Sequence, residues 1–325
     1  MSVLIPVHPH KTEVKAAAAA NQFDYPREKL EILIVRTTDL AIGPGVKRNA
    51  GLKAVHGELV YFLDDDSVAL PDALRRAVKH FEDPAVKMVG GPNVCPPDAP
   101  PFERALGLVM GSWLAFGPSC ARYRRTGKLR SSGEKELISC NLVARREAVL
   151  EVGFDPKLWP NEENAMMDGV QKRGGKLLYD PELVVQRRPR PDLRAYAKML
   201  LFYGGGRAQQ LRLHPTLASL PNFVPALLCL YFVALPFAPA MPVAAHWSLP
   251  ILSPLLLYMA AVVAQTVRNA ARGGWPLAAR ALPLLVLTNL FYGLGFWRGL
   301  FVKIAPPPSA PEGDIRFETV PARAG

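Results

Sequence analysis

Three adjacent carboxylates at residues 64–66 are the part of the sequence best suited to chemistry. Asp64, Asp65 and Asp66 follow the apolar run 59–63, which predicts a buried strand that ends at the first carboxylate. At the carboxyl end of a strand in an α/β sheet, side chains face the crevice where ligands bind. Three neighbouring negative charges repel one another, so their burial is costly without a cation. Oxygen ligands of this kind favour Mg²⁺ or Mn²⁺, which one or two carboxylates hold together with substrate phosphates.

A second acidic pair, Glu162 and Glu163, could supply the base for such a reaction. The pair begins a helical run over residues 165–173 that stops at two glycines. A carboxylate held near a dication and a hydroxyl acceptor could act as a general base, while the metal neutralised a leaving diphosphate. Two simpler interpretations stay open, because the triplet could be a solvated turn or helix cap and the pair could merely compensate a helix dipole. Together the two clusters indicate sugar transfer from a nucleotide donor.

The elements that would position these carboxylates alternate between strands and helices. This alternation predicts an α/β domain with a mostly parallel central sheet that is covered on both faces, which is a nucleotide-binding architecture. The basic stretch 122–130 is either a solvated loop or a mobile flap that meets phosphates. The predicted strands are 3–7, 30–35, 59–63, 86–91 and 176–180, and the predicted helices are 11–21, 46–54 and 70–81.

The last third of the sequence is mostly apolar. Runs at 222–245, 249–267 and 281–302 are near the length that a helix needs to cross a bilayer, although the prolines of the first run permit a re-entrant segment. The loop between the last two runs is rich in arginine, which places it in the cytoplasm with the N-terminal domain. We therefore predict a catalytic domain over 1–215 on the cytoplasmic side of the inner membrane. A membrane region with two or three transmembrane helices over 216–305 and a disordered tail over 306–325 complete the predicted organisation.

Charge and cysteine content narrow the classes of partner and compartment. The net charge of +11 arises largely from lysine and arginine between residues 122 and 212, just ahead of the first apolar run. A membrane surface and anionic sugar nucleotides fit this position better than a nucleic acid does. The four cysteines are scattered without zinc spacing, which indicates free thiols in a reducing compartment. Early prolines argue against a signal peptide.

An ordered set of short motifs resembles the family 2 glycosyltransferases, which have the GT-A fold. Any one of these motifs is weak, but the set keeps a consistent order over about residues 2–210, and membrane segments after such a domain are familiar in this family. The motifs are SVLIPV at 2–7, KRNAGL at 47–52, YFLDDD at 61–66, SCNLVARREA at 139–148, VGFD at 152–155, PNEE at 160–163, YDP at 179–181 and YGGGRA at 203–208.

The resemblance implies roles for individual residues. Asp64 and Asp66 correspond to the DxD residues that hold Mg²⁺ or Mn²⁺ and the donor diphosphate, and Glu163, beside Glu162, corresponds to the catalytic base. Family members of this type invert the anomeric centre by direct displacement. The residues implied on the donor side are Pro6, Asp39, Lys47, Arg48, Asn49 and Asp65, and those on the acceptor side are Asn141 and Arg207.

Several positions depart from the family pattern. Arg36 ends the second strand where family members carry an aspartate that contacts the nucleotide base, and the nearest acid is Asp39. Arginine cannot accept a hydrogen bond from a base. Arg187 stands where a histidine, a third metal ligand, is expected, and the base is a glutamate rather than an aspartate. The chain lacks a QxxRW motif, which argues against a processive synthase of the cellulose or hyaluronan type.

We therefore expect a membrane-anchored, metal-dependent, inverting glycosyltransferase. It would move a sugar from a nucleotide-sugar donor to a membrane-associated acceptor, either a glycan or a polyprenyl-linked glycan. A nucleotidyltransferase would also use carboxylates and Mg²⁺, but residues 8–11 do not form the glycine-rich phosphate loop that it needs. A degenerate family member that binds a lipid glycan or a partner without catalysis would explain Arg36 and Arg187, whereas the intact carboxylates argue against it.

Overall fold

The chain divides into two compact units. The computed structural model describes residues 1–215, 217–240, 248–304 and 314–320 of the 325 residues. Unit 1 consists of Met1–Pro96, Ala121–Arg188 and the C-terminal segment from Ile304, and unit 2 consists of Pro97–Cys120 and Pro189–Lys303. The sequence predicts a boundary at 215, whereas the division falls after Arg188 and assigns 97–120 to unit 2.

Unit 1 is built on an eight-stranded sheet of order β11-β2-β1-β3-β8-β5-β9-β7, beside a small three-stranded sheet of order β4-β10-β6. The strands are β1 (Ser2–Pro6), β2 (Glu31–Arg36), β3 (Leu59–Leu63), β4 (Val68–Ala69), β5 (Val86–Gly90), β6 (Asn93–Val94), β7 (Arg130–Ser131), β8 (Asn141–Arg145), β9 (Lys176–Tyr179), β10 (Val185–Gln186) and β11 (Arg316–Thr319).

Most strands of the large sheet share one direction. β1 is parallel to β2 and β3, and β5 is parallel to β9, while β8 runs antiparallel to both β3 and β5. Five of the eight strands, β1, β2, β3, β5 and β9, therefore run the same way, and β7, β8 and β11 run the opposite way. The predicted α/β architecture is confirmed, with β8 as an antiparallel insertion that the sequence pattern did not predict.

The sheet is buried on both faces because its apolar side chains alternate between two cores. Val3 and Ile5 of β1 belong to one core, and Leu4 belongs to the other. Leu4 pairs with Phe62 across β1 and β3, so continuing this register places Pro6 opposite Asp64. The ends of β1, β2 and β3 thus meet at one edge of the sheet, which is where the sequence predicts the site.

β11 lies within the segment for which the sequence predicts disorder. It pairs antiparallel with β2, from Arg316 opposite Arg36 to Thr319 opposite Leu33. An edge strand exposes unpaired backbone groups that a short distant segment can satisfy, and local composition does not reveal such long-range pairing. The rest of the predicted tail, residues 306–313 and 321–325, lies outside the described residues.

The helices of unit 1 cover the sheet and carry the charged residues. α2 begins with Pro44, whose missing N–H suits the first turn of a helix. α7 begins directly at the acidic pair. The α-helices of this unit are α1 (Lys15–Ala20), α2 (Pro44–Ala54), α3 (Ala73–Lys79), α6 (Arg146–Val152) and α7 (Glu162–Lys172).

Helices are the regular secondary structure of the described residues of unit 2, and short turns connect them. Three segments are long and apolar enough to cross a membrane: Leu220–Phe237, Leu249–Gly273 and Trp275–Phe301. The end of the first predicted run, residues 241–247, lies outside the described residues. The α-helices are α4 (Pro101–Met110), α5 (Trp113–Phe116), α8 (Leu193–Leu213), α9 (Phe223–Ala234), α10 (Ser248–Gly273) and α11 (Trp275–Phe301).

Two glycines allow α8 and α11 to pack closely. A Cβ atom at Gly204 would overlap the carbonyl oxygen of Tyr292, and one at Gly295 would overlap the backbone of Leu201. The YGGGRA motif at 203–208 thus has a packing role within unit 2.

Candidate active site

Asp64 lies at the centre of a partly buried network of ion pairs at the end of β3. Its Oδ1 accepts a hydrogen bond from Nη2 of Arg48 at 2.8 Å, and its Oδ2 is 3.0 Å from Nη1 of Arg187. Burial alone would raise the pKa of this carboxyl group. The two guanidinium groups more than offset that effect and hold the pKa below its ordinary value, so Asp64 is a carboxylate at neutral pH.

Arg48 connects this strand end to the start of α7. Its Nη1 donates to Oε1 of Glu162 at 3.1 Å, and both side chains are only 3% exposed. Burial, reinforced by the neighbouring Glu163, raises the pKa of Glu162 to about 8. Glu162 therefore fixes α7 against α2, since a buried carboxyl group that is hydrogen-bonded to Arg48 has no access to an incoming hydroxyl group.

Glu163 shares the first turn of α7 with Glu162 but differs from it in being only half-buried. Its carboxylate makes no hydrogen bond or ion pair with any residue in the described part of the chain. The turn before it is held by Asn164, whose Nδ2 donates to Oδ1 of Asn161 at 2.8 Å. Of the two predicted catalytic residues, Glu163 is the one with the access that a general base needs.

Asp65 and Asp66 contact the loop that follows β1. The Asp65 carboxylate accepts hydrogen bonds from Nζ of Lys11 at 2.6 Å and from the backbone N–H of His8 at 3.1 Å. Lys11 is also 3.8 Å from the Asp66 carboxylate. Asp65 thus anchors this loop, and Lys11 is a residue of the site that the sequence pattern did not single out.

Arg187 bridges the two aspartates that the sequence assigns to a metal. Its Nε lies 2.7 Å from Oδ1 of Asp66, in addition to its contact with Asp64. The pairing of Gln186 with Val68 in β10 and β4 places Arg187 beside Ser67, directly after the triplet. The sequence marked Arg187 only as a departure from the family pattern, because the pairing of two-residue strands has no sequence signal.

This donor set does not fit a divalent metal. Both carboxylate oxygens of Asp64 and one of Asp66 are in ion pairs with arginine, which has no lone pair for a metal and keeps its charge in proteins. Among the described residues, no group of three or more His, Cys, Asp or Glu side chains is placed to hold a metal ion. Asp64 and Asp66, which the sequence assigns to a metal, therefore form ion pairs with arginine instead.

Three residues predicted on the donor side lie at the same edge of the sheet. Pro6 ends β1 and is buried. Lys47 donates from Nζ to the carbonyl oxygen of Val7 at 2.8 Å, and burial lowers its pKa to about 8. Asn49 donates to the carbonyl oxygen of Phe154 and accepts from its N–H, at 2.7 and 2.9 Å. Its amide is thus engaged in holding the loop after α6.

Asp314, in the distant C-terminal segment, places a carboxylate at the end of β2. Asp314 accepts hydrogen bonds from the backbone N–H groups of Thr38 at 3.2 Å and Asp39 at 3.4 Å. Asp39 itself is exposed, and its carboxylate accepts from the N–H of Ala41 at 2.8 Å. Arg36 pairs with Glu318 of β11 at 2.9 Å. Asp314 could not be found from the sequence, because 275 residues separate it from Asp39.

The two residues predicted on the acceptor side have different surroundings. Asn141 is fully buried, accepts from the Tyr61 hydroxyl at 2.7 Å and donates to the carbonyl oxygen of Leu183 at 2.6 Å. It connects β3, β8 and the loop before β10, so its role in the structure is positional. Arg207 belongs to unit 2, where its Nη1 donates to Gln210 at 3.1 Å. Their acceptor-side role stays a prediction.

The basic stretch 122–130 is partly fixed to unit 1. Arg122 is buried and donates from Nε to the carbonyl oxygen of Lys135 at 3.0 Å. Arg130 pairs with Glu136 at 2.7 Å and lies over the ring of Tyr179 at 4.3 Å. These two cations therefore have structural partners, whereas Lys128 is exposed.

Comparison with known proteins identifies the family. The model of the glycosyltransferase-like family 2 matches residues 1–201, which is more than half of the chain. The chain belongs to this family. The match includes every ion pair of the network described above, and the resemblance found in the sequence is confirmed.

Two curated relatives and a solved structure extend the comparison. The pre-mycofactocin glycosyltransferases of two Mycobacterium tuberculosis strains, CDC 1551 / Oshkosh and ATCC 25618 / H37Rv, are each 28% identical over 185 residues. The match covers 53% of this chain but only 36% of each relative. The mannosyltransferase PcManGT from Pyrobaculum calidifontis, solved with GDP-Man and Mn²⁺, is 17% identical and has a TM-score of 0.50 over 92% of this chain and 86% of its own. This likeness shows that unit 1 has the GT-A fold.

Proposed function

We propose that the chain is an inverting glycosyltransferase. It transfers a sugar from a nucleotide-sugar donor to a membrane-associated acceptor, either a glycan or a polyprenyl-linked glycan. Membership of the glycosyltransferase-like family 2 supports the reaction class. The pre-mycofactocin glycosyltransferases also support the reaction class, and the mannosyltransferase that was solved with GDP-Man supports a nucleotide-sugar donor.

The observation that carries the proposal is the arrangement of Glu163 beside the paired residues Glu162, Arg48 and Asp64. The chain of ion pairs from Asp64 through Arg48 to Glu162 fixes the start of α7 relative to the end of β3. Glu163 is then held at a set distance from the proposed donor site at this strand end, and no described residue pairs with its carboxylate. A rigidly held, accessible carboxylate beside a donor site is what direct displacement requires.

The proposed reaction is a direct displacement that uses Glu163 as the base. Glu163 removes the proton from the acceptor hydroxyl group as its oxygen attacks the anomeric carbon of the donor. The bond between that carbon and the diphosphate oxygen breaks on the opposite side, so the configuration inverts. The nucleoside diphosphate leaves with one additional negative charge, and cationic side chains at the end of β3 are placed to stabilise it. Asp39 and Lys47 are proposed to lie on the donor side.

The proposed acceptor is membrane-associated because of unit 2. Its three apolar segments, of 18, 25 and 27 residues, are proposed as membrane spans, with the catalytic unit on the cytoplasmic face of the inner membrane. An acceptor on a lipid carrier would be concentrated at that surface, next to the catalytic unit.

A second function has one observation in its favour. Arg187 forms ion pairs with both aspartates that are predicted to hold a metal. This is expected of a degenerate family member that binds a sugar ligand without transferring it. Both functions require ligand binding, but only the glycosyltransferase turns the ligand over.

A nucleotide-sugar panel tests the proposal directly. The full chain, purified in detergent micelles, is mixed with UDP-, GDP- and ADP-linked sugars, and the thermal unfolding midpoint is measured for each. Ligands that bind the folded state raise this midpoint. We expect at least one sugar nucleotide to raise it, and that nucleotide then to be turned over in the presence of membrane lipid extract. Stabilisation without turnover would favour the degenerate binder, and no stabilisation by any member of the panel would overturn both.

A further inference from the structure

Arg187 occupies the place in the network where a divalent cation is expected. It touches one oxygen of Asp64 at 3.0 Å and one of Asp66 at 2.7 Å, and both contacts involve the same planar guanidinium group. A metal ion bound by Asp64 would need an oxygen that already pairs with an arginine, and at Asp66 it would lie beside the same guanidinium group. Since arginine remains charged, a dication at this position would meet a fixed positive charge as well as lose its oxygen ligands.

Each carboxylate of the triplet already has a cationic partner. Three carboxylates, those of residues 64–66, are paired with three cations: Lys11, Arg48 and Arg187. The repulsion between the carboxylates, from which the sequence alone predicts a metal, is therefore relieved by side chains of the chain itself. The driving force for recruiting a dication is reduced, and cationic side chains take its place at the strand end.

Two of these cations are placed to meet a ligand from solvent. The Arg187 side chain is 24% exposed and that of Lys11 is 41% exposed, whereas Arg48 is buried at 3%. A guanidinium group presents N–H donors in a planar fork that matches the oxygens of a phosphate, and an ammonium group adds a compact charge. The exposed edge of the cluster therefore has the chemistry of a diphosphate site.

We propose that Arg187, together with Lys11, takes the part of the divalent cation, and that this chain binds the donor's diphosphate without a metal. The inference rests on the proposed function for the identity of the ligand as a nucleoside diphosphate. In the transfer step, the anomeric C–O bond breaks with its electron pair on the diphosphate oxygen, and the acceptor proton moves to Glu163. Arg187 and Lys11 hold the diphosphate as this charge develops, so no metal or other co-reactant is required.

Binding measured with and without metal tests the proposal. Calorimetric titration of the detergent-solubilised full chain with UDP, GDP and ADP is carried out in EDTA and then in MnCl₂. For the nucleotide that binds, we expect the two affinities to agree within about twofold, and Arg187→Ala to weaken binding in EDTA by about 10- to 100-fold, the scale of a charge-assisted hydrogen bond. Arg188→Ala is the matched control, because it removes the same charge from the next, exposed position and should leave binding unchanged.

Arg187→His gives the sharper contrast. A neutral imidazole would release both aspartates and could itself ligate a metal, so we expect this variant to bind nucleotide only when Mn²⁺ is present. Titration of Mn²⁺ followed by electron paramagnetic resonance should show one tight site in the variant and none in the unsubstituted chain. Arg187→Lys, which keeps the charge but loses the fork, checks that the network tolerates substitution at this position.

Any of these binding results would overturn the proposal: nucleotide binding by the unsubstituted chain only in the presence of Mn²⁺, a stoichiometric Mn²⁺ site in that chain, or unchanged binding in Arg187→Ala. Sugar transfer that requires added Mn²⁺ would refute the metal-free site and leave the proposed function intact. Metal-free nucleotide binding that depends on Arg187, without any sugar transfer, would support the site and contradict the proposed function.

Discussion

Glu162 and Glu163 are adjacent in the sequence but have different surroundings at the scale of single residues. Glu162 is buried against Arg48, whereas Glu163 has no hydrogen bond or ion pair within the described part of the chain. The sequence predicts an acidic pair at this position but cannot say which member is accessible, because burial depends on how α7 packs against α2. The structure separates a positioning residue from a candidate base.

Replacing Glu163 by glutamine tests the base. Glu163→Gln keeps the size of the side chain but cannot accept the proton, so we expect nucleotide-sugar binding to persist and turnover to fall by about 10²- to 10⁴-fold. Calorimetry for binding and steady-state rates for turnover give the two quantities. Asp168→Asn, on the same helix and paired with Lys172 on its surface, is the matched control and should retain its rate. Near-normal turnover in Glu163→Gln would mean that Glu163 only caps its helix.

The buried carboxyl group of Glu162 gives a pH dependence of stability. Its pKa rises from 4.5 in the unfolded chain to about 8 in the fold, so between these values the folded protein holds a proton that the unfolded chain lacks. The stabilising contribution is complete below pH 4.5 and is lost as the pH rises through about 8. Lys47, with its pKa lowered from 10.5 to about 8, affects the stability only above this pH window.

We expect the difference in unfolding midpoint between the unsubstituted chain and Glu162→Gln to change steadily between pH 4.5 and about 8. A difference independent of pH would contradict the assignment.

At the scale of elements, local patterns predicted much of unit 1. The strands β1, β2, β3, β5 and β9 and the helices α2 and α3 were predicted because apolar periodicity and proline or glycine boundaries are local signals. The antiparallel insertion of β8, the pairing of β10 with β4 and the addition of β11 to β2 are non-local and left no such signal. The ion pairs of Arg187 depend on the second of these pairings, which is why the sequence predicts a metal site there.

Deleting the C-terminal strand tests its contribution to the sheet. A chain without residues 314–325 loses the ladder between β11 and β2 and the contacts of Asp314 with the turn at Thr38 and Asp39. We expect a lower thermal unfolding midpoint and weaker nucleotide binding, because the turn at the end of β2 would lose its anchor. The matched control ends after Val320, which keeps β11 whole. Identical midpoints and affinities for the two truncated chains would show that β11 does not stabilise this edge.

At the scale of the whole molecule, the three apolar segments of unit 2 predict firm membrane attachment. Segments of 18, 25 and 27 residues are long enough to span the hydrocarbon core as helices. We expect the full chain to remain in the membrane pellet after a carbonate wash, and a chain that ends at residue 215 to be released in larger part. Recovery of the full chain in the soluble fraction would contradict the membrane-spanning assignment.

The distribution of charge connects the membrane to the reaction. The net charge of +11 favours both an anionic membrane surface and anionic nucleotide donors. Family membership establishes what kind of domain unit 1 is, whereas the sugar and the acceptor depend on side chains that the family motifs do not specify. Sugar transfer by this chain therefore has to be measured directly.

Release of nucleoside diphosphate from a nucleotide sugar is the direct measure of sugar transfer by this chain. The full chain in lipid nanodiscs is incubated in EDTA with the sugar nucleotide that stabilises it and with membrane lipid extract, and both the released diphosphate and the glycosylated product are quantified by mass spectrometry. We expect equal amounts of diphosphate and of product with inverted anomeric configuration, and loss of both in Glu163→Gln. Binding of the donor without either product, in EDTA and equally with Mn²⁺ added, would contradict the assignment of this chain as a glycosyltransferase.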